Sequence, residues 1–179
     1  MLFRSLSARL QEEQKQLRAT LEKDLQDSAN DMAQLLASVA PRAMWDNDVP
    51  TLSEFARRAQ RNPNVLFVVY DDAAGEHLTR YLNRENPINQ ALLEKGKGDR
   101  ALDKVLDAAK ADASVYYVEA SISPNGVEIG KVRMGVSTAS VEADLLALDK
   151  RFAALIASGD QLVGDSLKGA AAEDRKSVV

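Results

Sequence analysis

The segment "SVYYVEASISPNGVEIGKVRMGVS", residues 114–137, predicts a β-hairpin inside a chain whose other patterns are largely helical. β-Branched and aromatic residues, which favour strands, are concentrated on both sides of a Pro-Asn-Gly sequence. Proline and glycine supply the backbone angles that tight turns require. We therefore expect strands at 114–122 and 127–137, joined by a turn at 123–126.

Alternation along these strands separates an apolar face from a polar one, since successive side chains point to opposite sides of a sheet. One face is apolar and predicts burial in the core: Tyr116, Val118, Ala120, Ile122, Val132, Met134 and Val136. The other face carries Tyr117, Glu119, Ser121, Lys131, Arg133 and Gly135. This second face is either a solvated surface or a pocket in which Arg133 holds an anion. The connection at 83–100 is the candidate lid for such a pocket.

Two further strands are predicted upstream, which makes the sheet four-stranded. The sequence "VLFVVYD", 65–71, is β-branched and aromatic, and "HLTRYL", 77–82, follows it after a turn. Strands joined in local hairpins form an antiparallel sheet. Between the two strand pairs we expect a long connection with one short helical turn at 83–100, and then a helix within 99–112.

Apolar residues at helical spacing precede and follow the predicted sheet. Residues 5–39 contain neither proline nor glycine, and their apolar residues recur at nearly heptad spacing: Leu10, Leu17, Leu21, Leu25, Met32, Leu36 and Val39. A second stripe starts at Ser137 or Ser140 and comprises Val141, Leu145, Leu148, Phe152, Leu155 and Ile156. We therefore predict an α+β fold in which an antiparallel β-sheet packs on a long N-terminal helix and is followed by a C-terminal helix.

The acidic sequence "WDND", 45–48, has two interpretations. Two carboxylates beside a tryptophan form a candidate site for a hard cation. The interpretation that we prefer is the end of one helix, followed by an N-cap from Asp48 or Thr51 for a short helix at 50–61. In that case we expect Trp45 to pack on the sheet or on a neighbouring helix.

Composition excludes several classes of function. The chain has 179 residues and a net charge of −4, which argues against nucleic-acid binding because phosphate contacts need a basic face. It has no cysteine and one histidine, His77, so disulfides, thiolate metal sites and multi-histidine metal sites are excluded. No nucleophile–base set and no phosphate-binding glycine-rich loop is present. We therefore expect no enzyme, no cofactor and no metal, and we interpret His77 as a surface or structural residue.

All four tyrosines of the chain lie in or beside predicted strands: Tyr70, Tyr81, Tyr116 and Tyr117. Each combines an apolar ring with a hydroxyl group, which suits either a pocket for a small ligand or the filling of a core. Both interpretations stay open for each tyrosine. The predicted ligand-binding residues are Tyr70, Tyr81, Tyr117 and Arg133.

Two stretches of the chain resemble a known family. They are "MWDNDVPTLSEFARRAQRNPNVLFVVYDDAAGE", residues 44–76, and "VYYVEASISPNGVEIGKVRMGVSTASVEADL", residues 115–145. The first resembles the short helix, Asn-Pro turn, strand and Asp-x-x-Gly turn of extracytoplasmic PAS-like sensor domains of the Cache group. The second resembles their closing strand pair and exit helix. Such domains occur in bacterial chemoreceptors and in membrane-bound histidine kinases and cyclases.

The resemblance implies three segments: a coiled-coil-like dimerisation helix at 1–40, a PAS-like sensor domain at 41–137 and a C-terminal signalling or stalk helix at 138–179. It also implies a periplasmic location and a homodimer paired through the N-terminal helices. No apolar run is long enough to span a membrane, so we expect the chain to be a fragment of a membrane-anchored receptor.

We expect this receptor, of the chemotaxis type first of all, to bind a small carboxylate or an amino-acid-like compound. The alternative is a dimerisation or protein-interaction module of a membrane signalling protein that binds no small molecule.

Overall fold

The computed structural model describes residues 2–98, 101–151 and 153–154, and it has the α+β composition that the sequence predicts. Residues 139–151 and 153–154 are helical and are called α6. The preceding elements are, in order, α1 (Leu2–Val39), α2 (Pro41–Trp45), α3 (Val49–Ala59), β1 (Val65–Asp72), β2 (Tyr81–Leu82), α4 (Pro87–Lys95), α5 (Ala101–Ala111), β3 (Val115–Ile122) and β4 (Gly130–Ser137). The predicted long N-terminal helix is confirmed, and so is the hairpin within 114–137, although its second strand begins at Gly130 and not at 127.

The chain divides into two compact units. One is Glu22–Ser140, which holds the sheet, and the other combines the described parts of Met1–Leu21 and Val141–Val179. In the second unit Gln14 of α1 donates a hydrogen bond to Asp149 of α6. Within the described ranges, none of the helices combines the length and the apolar character needed to cross a membrane. The three-segment division suggested by the resemblance stays a prediction.

The four strands form one antiparallel sheet in the order β2-β1-β4-β3. β4 lies between β1 and β3, with Met134 opposite both Val68 and Val118. The hairpin predicted from local sequence therefore provides half of the sheet. Its second strand also pairs with β1, a contact between distant parts of the chain.

The second strand is much shorter than predicted, because a side chain replaces part of its ladder. β2 comprises only Tyr81–Leu82, whereas the prediction covers 77–82. Before it, Thr79 Oγ1 accepts the hydrogen bond from the backbone N–H of Tyr70 at 3.0 Å, and the N–H of Leu78 donates to the Tyr70 carbonyl at 2.7 Å. A backbone N–H that is satisfied by a side chain does not pair with a neighbouring strand, so regular pairing resumes only at β2.

One side of the sheet, here called the α1 face, packs against α1, α2 and α3. Its buried strand residues include Val68, Tyr70, Val118, Ile122, Val132, Met134 and Val136. α1 contributes mainly small residues to this core, namely Ala29, Ala33 and Ala37, together with Leu36. Short alanine side chains let the helix approach the sheet closely. The apolar face predicted for the hairpin is confirmed as core.

The opposite side, here called the α5 face, packs against α4 and α5. Phe67 and Val69 of β1 form one buried cluster with residues of these helices, namely Leu92, Val105, Leu106 and Ala109. The polar residues of the hairpin, including Arg133, lie on this same side because their positions alternate with the apolar ones. Two helices therefore cover part of the face that the sequence predicts as either surface or pocket.

The connection at 83–100 contains a regular helix, which corrects the prediction of one short helical turn. α4 spans Pro87–Lys95, with proline in its first turn. Asn86 caps it by accepting a hydrogen bond from the N–H of Ile88 at 2.9 Å. The buried side of α4 includes a polar residue, Asn89. Because this residue interrupts the apolar period, hydrophobic patterning does not reveal the helix.

The "WDND" stretch forms a helix boundary. Asp48 accepts hydrogen bonds from the hydroxyl and the N–H of Thr51 at 2.6 and 3.1 Å, which caps α3 as predicted and lowers the pKa of Asp48. Trp45 is 62% exposed, so the prediction that it packs on the sheet or on a helix is wrong. α2 ends at this tryptophan, and Asn47 then turns the chain with a φ of 51°, which leaves the indole at the surface.

Candidate functional site

A buried ion pair joins two strands on the α5 face. Arg133 lies in the middle of β4, and Asp71 lies near the end of β1. Arg133 Nε is 2.7 Å from Asp71 Oδ2; the carboxylate is fully buried, and the arginine side chain is 17% exposed. A buried charge is costly unless an opposite charge faces it. Each side chain therefore supplies the counter-charge that the other needs.

The two groups approach closely without forming an aligned hydrogen bond. Asp71 Oδ2 and Arg133 Nε are both buried, and neither has a hydrogen-bond partner of acceptable geometry among the described residues. The short distance between them is therefore an electrostatic contact in which the N–H does not point at the oxygen. The hydrogen-bonding capacity of both buried atoms is therefore unused in this arrangement.

Glu119 of β3 extends the ion pair into a network. It lies opposite Arg133 in the β3–β4 register, and its Oε1 is 3.9 Å from Arg133 Nε. Lys131 Nζ is 4.0 Å from Oε2 of the same carboxylate. Tyr117 donates its hydroxyl hydrogen bond to Oε1 at 2.9 Å. The polar side chains that the sequence predicts on one face are thus brought together.

Tyr117 is held between an aromatic and a cationic neighbour. Its ring centroid is 6.0 Å from that of Phe67, and Lys110 Nζ of α5 lies 5.7 Å from the ring centroid. Burial, followed by the hydrogen bond to the Glu119 carboxylate, raises the pKa of Tyr117 above its ordinary value. Near neutral pH the phenol is therefore an uncharged hydrogen-bond donor.

His77 connects the ion pair to α5. Its Nδ1 lies 2.6 Å from Asp71 Oδ1, and its Nε2 lies 2.9 Å from Oδ1 of Asp103, which is 48% exposed. A neutral imidazole donates from one nitrogen only, so donation to both carboxylates requires the doubly protonated ring. The expectation of a structural residue agrees with this bridging position, whereas neither carboxylate was predicted as a partner of His77.

The structure does not bring the four predicted ligand-binding residues together. Arg133 and Tyr117 share the α5 face, whereas Tyr70 and Tyr81 pack in the core of the α1 face. The Tyr70 ring is fully buried, and its hydroxyl donates to the carbonyl of Leu36 in α1 at 3.2 Å. Burial raises the pKa of Tyr70 above its ordinary value. No single pocket on one face of the sheet can therefore be lined by all four.

Alternation along β1 contains the signal that separates these residues. Successive side chains of a strand point to opposite faces. Tyr70 and Asp71 therefore point to opposite faces, so only one of them can share the side that carries Arg133. The charge of Asp71 also marks it, since a carboxylate inside an otherwise apolar strand needs a cation nearby. Asp71 was not predicted as a site residue, because it was interpreted as the last residue of the predicted strand 65–71.

Asn89 links the covering helix α4 to the sheet. Its Nδ2 donates to the carbonyl of Leu66 in β1 and to that of Asn83, the latter at 2.7 Å. The side chain is fully buried, and its Oδ1 has no hydrogen-bond partner among the residues that are described. α4 is therefore held against the sheet by specific hydrogen bonds as well as by apolar contacts.

Comparison of the sequence with protein-family models and with curated proteins found no match to either. In the described ranges, no group of three or more histidine, cysteine, aspartate or glutamate residues is positioned to hold a metal ion. The site itself offers a cation and an anion side by side on a covered sheet face. This arrangement suits a molecule that carries a negative charge, or both charges.

Proposed function

We propose that this chain is a PAS-like, Cache-type sensor domain from the extracytoplasmic part of a transmembrane receptor, the chemotaxis type first of all. The observation that carries the proposal is the buried pair of Asp71 and Arg133 on the α5 face, beneath covering helices. The four-stranded antiparallel sheet on a long N-terminal helix agrees with the architecture that the resemblance implies.

The ligand class follows from the charges of the site. A carboxylate forms charge-assisted hydrogen bonds with a guanidinium, and an ammonium group does so with a carboxylate. The head group of an amino acid carries both charges close together, as Arg133 and Asp71 do. An amino-acid-like compound can therefore replace the internal ion pair with two external ones. A simple carboxylate would use Arg133 alone.

The position of Arg133 provides a route from the ligand to the rest of the receptor. β4 carries this residue in its middle, ends at Ser137 and leads into the helix that starts at 139. Ser137 Oγ accepts a hydrogen bond from the N–H of Ala139 at 3.1 Å, which couples the strand to the first turn of that helix. Ligand binding shifts this junction only if the ligand prefers one state of it over the other.

Calorimetric titration of the full chain with amino acids and small carboxylates tests this proposal. We expect at least one of them to bind, and we expect Arg133→Ala to weaken its binding by about tenfold to a hundredfold, the range of a charge-assisted hydrogen bond. Lys131→Ala is the matched control, because Lys131 lies on the same strand and face but its ammonium forms an ion pair with Glu119, at 4.0 Å. We expect a smaller loss there.

Arg133→Lys separates loss of binding from loss of folding, since it keeps the charge and lacks the planar fork of donors. Its affinity should lie between those of the wild type and Arg133→Ala. If no compound binds the wild type, or if Arg133→Ala binds as tightly as the wild type, the proposal is wrong.

A dimerisation module is the second candidate, and an apolar groove between α1 and α3 favours it. Leu35 and Val39 of α1 are 62% and 44% exposed, and they line this groove together with Met32 and with Phe55 of α3. Exposed apolar side chains that cluster in this way mark protein contacts. A homodimer through the N-terminal helix would cover them.

Sedimentation equilibrium of the full chain tests this candidate. If the groove holds a second copy, we expect a dimer, and Leu35→Glu should shift it to monomer by at least tenfold in the dissociation constant, because the carboxylate would be buried without a partner. Gln34→Glu is the control, since it adds the same charge at an exposed position one residue away. If both variants remain dimeric, the groove between α1 and α3 is not the dimer interface.

A further inference from the structure

The outer edge of β3 is a row of backbone groups that no other strand pairs. β3 stands last in the sheet order, and no described segment pairs with its far side. The N–H of Thr138 donates to the carbonyl of Ser114, and these two residues are adjacent to the paired residues Val115 and Ser137. The backbone groups of even-numbered residues in β3 therefore form their hydrogen bonds with β4. Along an antiparallel strand, the backbone groups of successive residues point alternately towards the paired strand and away from it. The N–H and C=O groups of Tyr117, Glu119 and Ser121 therefore point outward.

This edge carries few of the features that protect edge strands from pairing with other chains. Proteins blunt such edges with proline, β-bulges, a covering segment or charged side chains. β3 contains no proline, and its pairing with β4 shows no register shift. Its one charged side chain, Glu119, is held by Tyr117 and lies within 4.0 Å of cationic groups on the α5 face. The carboxylate is thus drawn towards its own sheet.

A groove runs beside the edge on the side of α1. It has a volume of ≈ 680 Å³. α1 forms one wall with Asn30, Gln34 and Ser38, and β3 contributes Val118 and Ala120. The wall formed by α1 is uncharged and able to form hydrogen bonds. A strand added at the edge would place every second side chain against it.

We propose that the outer edge of β3 binds an extended segment of a partner protein, which adds to the sheet as a fifth strand. The edge presents donors and acceptors at the repeat of an extended chain, and a polypeptide backbone is the ligand that matches such a repeat. The side chains of the bound segment that face α1 are uncharged and are small or β-branched. A lysine or arginine opposite Glu119 on the other side forms a favourable cross-strand pair.

A second copy of this chain is a poorer occupant of the same edge. When two β3 strands pair antiparallel about Glu119, the two carboxylates lie opposite each other, and directly opposed like charges are destabilising. A separate partner with a basic residue at that position removes this conflict. The proposed surface shares Tyr117 and Glu119 with the ion-paired network, but it uses the outer backbone edge of β3 and not the buried pair of Asp71 and Arg133.

Peptide selection on the full chain tests the proposal. The probe is a phage-displayed library of random dodecapeptides, from which the dominant peptide is synthesised with a fluorescent label for anisotropy measurements. We then expect methylation of every second backbone nitrogen of that peptide to weaken binding by about tenfold or more, because each methyl group removes one hydrogen bond and blocks approach. Methylation of the intervening nitrogens should have little effect. This alternation is specific to strand addition.

A pair of variants tests the edge from the protein side. Ser121→Pro removes an outward N–H without removing a bond to β4, and proline is tolerated on edge strands. We expect this variant to lose about tenfold in affinity for the peptide, whereas Ser121→Ala keeps it. Failure to enrich any peptide, or methylation effects that do not alternate, overturns the proposal. If the chain forms a dimer that Ser121→Pro dissociates, a second copy uses the edge and the assignment to a partner protein is wrong.

Discussion

Replacing Asp71 by alanine is expected to lower the free energy of unfolding by about 3 kcal/mol, the low end of the range for breaking a buried ion pair. The substitution removes the counter-charge of Arg133, whose side chain is only 17% exposed, and it also removes one of the two carboxylates that His77 contacts. Without Asp71 the guanidinium keeps only the more distant Glu119, whose Oε1 lies 3.9 Å from Arg133 Nε, so the loss of its hydration is no longer fully compensated. Urea denaturation followed by circular dichroism measures the loss.

Two controls separate this effect from general damage to β1. The double substitution Asp71→Leu with Arg133→Met removes both charges, and it should recover most of the stability because apolar residues of similar size replace buried ion pairs at little cost. Asp103→Ala removes the 48% exposed end of the network, and it should cost less than about 1 kcal/mol. A single-variant loss below 1 kcal/mol would contradict the importance assigned to this pair.

Replacing Gly135 by alanine is expected to destabilise the fold by about 2 kcal/mol, within the range for an overpacked core. A Cβ at this position would lie 2.3 Å from Cε1 and 2.6 Å from Cζ of Phe67. Phe67 lies across from Gly135 in the β1–β4 register and is fully buried, so its ring cannot move aside without disturbing the cluster beneath α4 and α5. Thermal unfolding measures the loss.

A second-site change distinguishes this clash from a general cost of substitution in β4. In the Gly135→Ala background, Phe67→Leu removes the atoms that collide and should restore part of the lost stability, which makes the two changes strongly non-additive. Alanine usually stabilises a strand relative to glycine. A Gly135→Ala variant that is as stable as the wild type would therefore show that Phe67 can repack, and it would contradict the expected rigidity of the α5 face.

Local patterns predicted most of the helices and strands correctly. The long N-terminal helix follows from an apolar stripe without proline or glycine, and the hairpin at 114–137 follows from two alternating runs around a turn. The cap at Asp48 follows from a side chain that can accept from the N–H of Thr51. These features depend on neighbours within a few residues, so the sequence contains the whole of the information that they need.

The features that were missed depend on hydrogen bonds from side chains to the backbone, which hydrophobic patterns do not reveal. α4 was not predicted because Asn89 is polar, and a hydrophobic pattern assigns such a residue to the surface. In the structure its amide nitrogen donates to the carbonyls of Leu66 and Asn83, so the side chain can be buried. The shortening of β2 depends on Thr79, whose hydroxyl accepts the N–H of Tyr70 in place of a backbone carbonyl. In each case a side chain acts on a part of the backbone that lies elsewhere in the chain.

The sequence by itself determined which residues of the hairpin share a face, because strand alternation has a period of two and needs no partner. Arg133 and Tyr117 were therefore assigned correctly to one side. Only the tertiary structure decided what meets them there. The pairing of β1 with β4 brings Asp71 to Arg133 and turns Tyr70 to the opposite core. This register is set by the packing of both faces at once, and no local pattern in either strand specifies it.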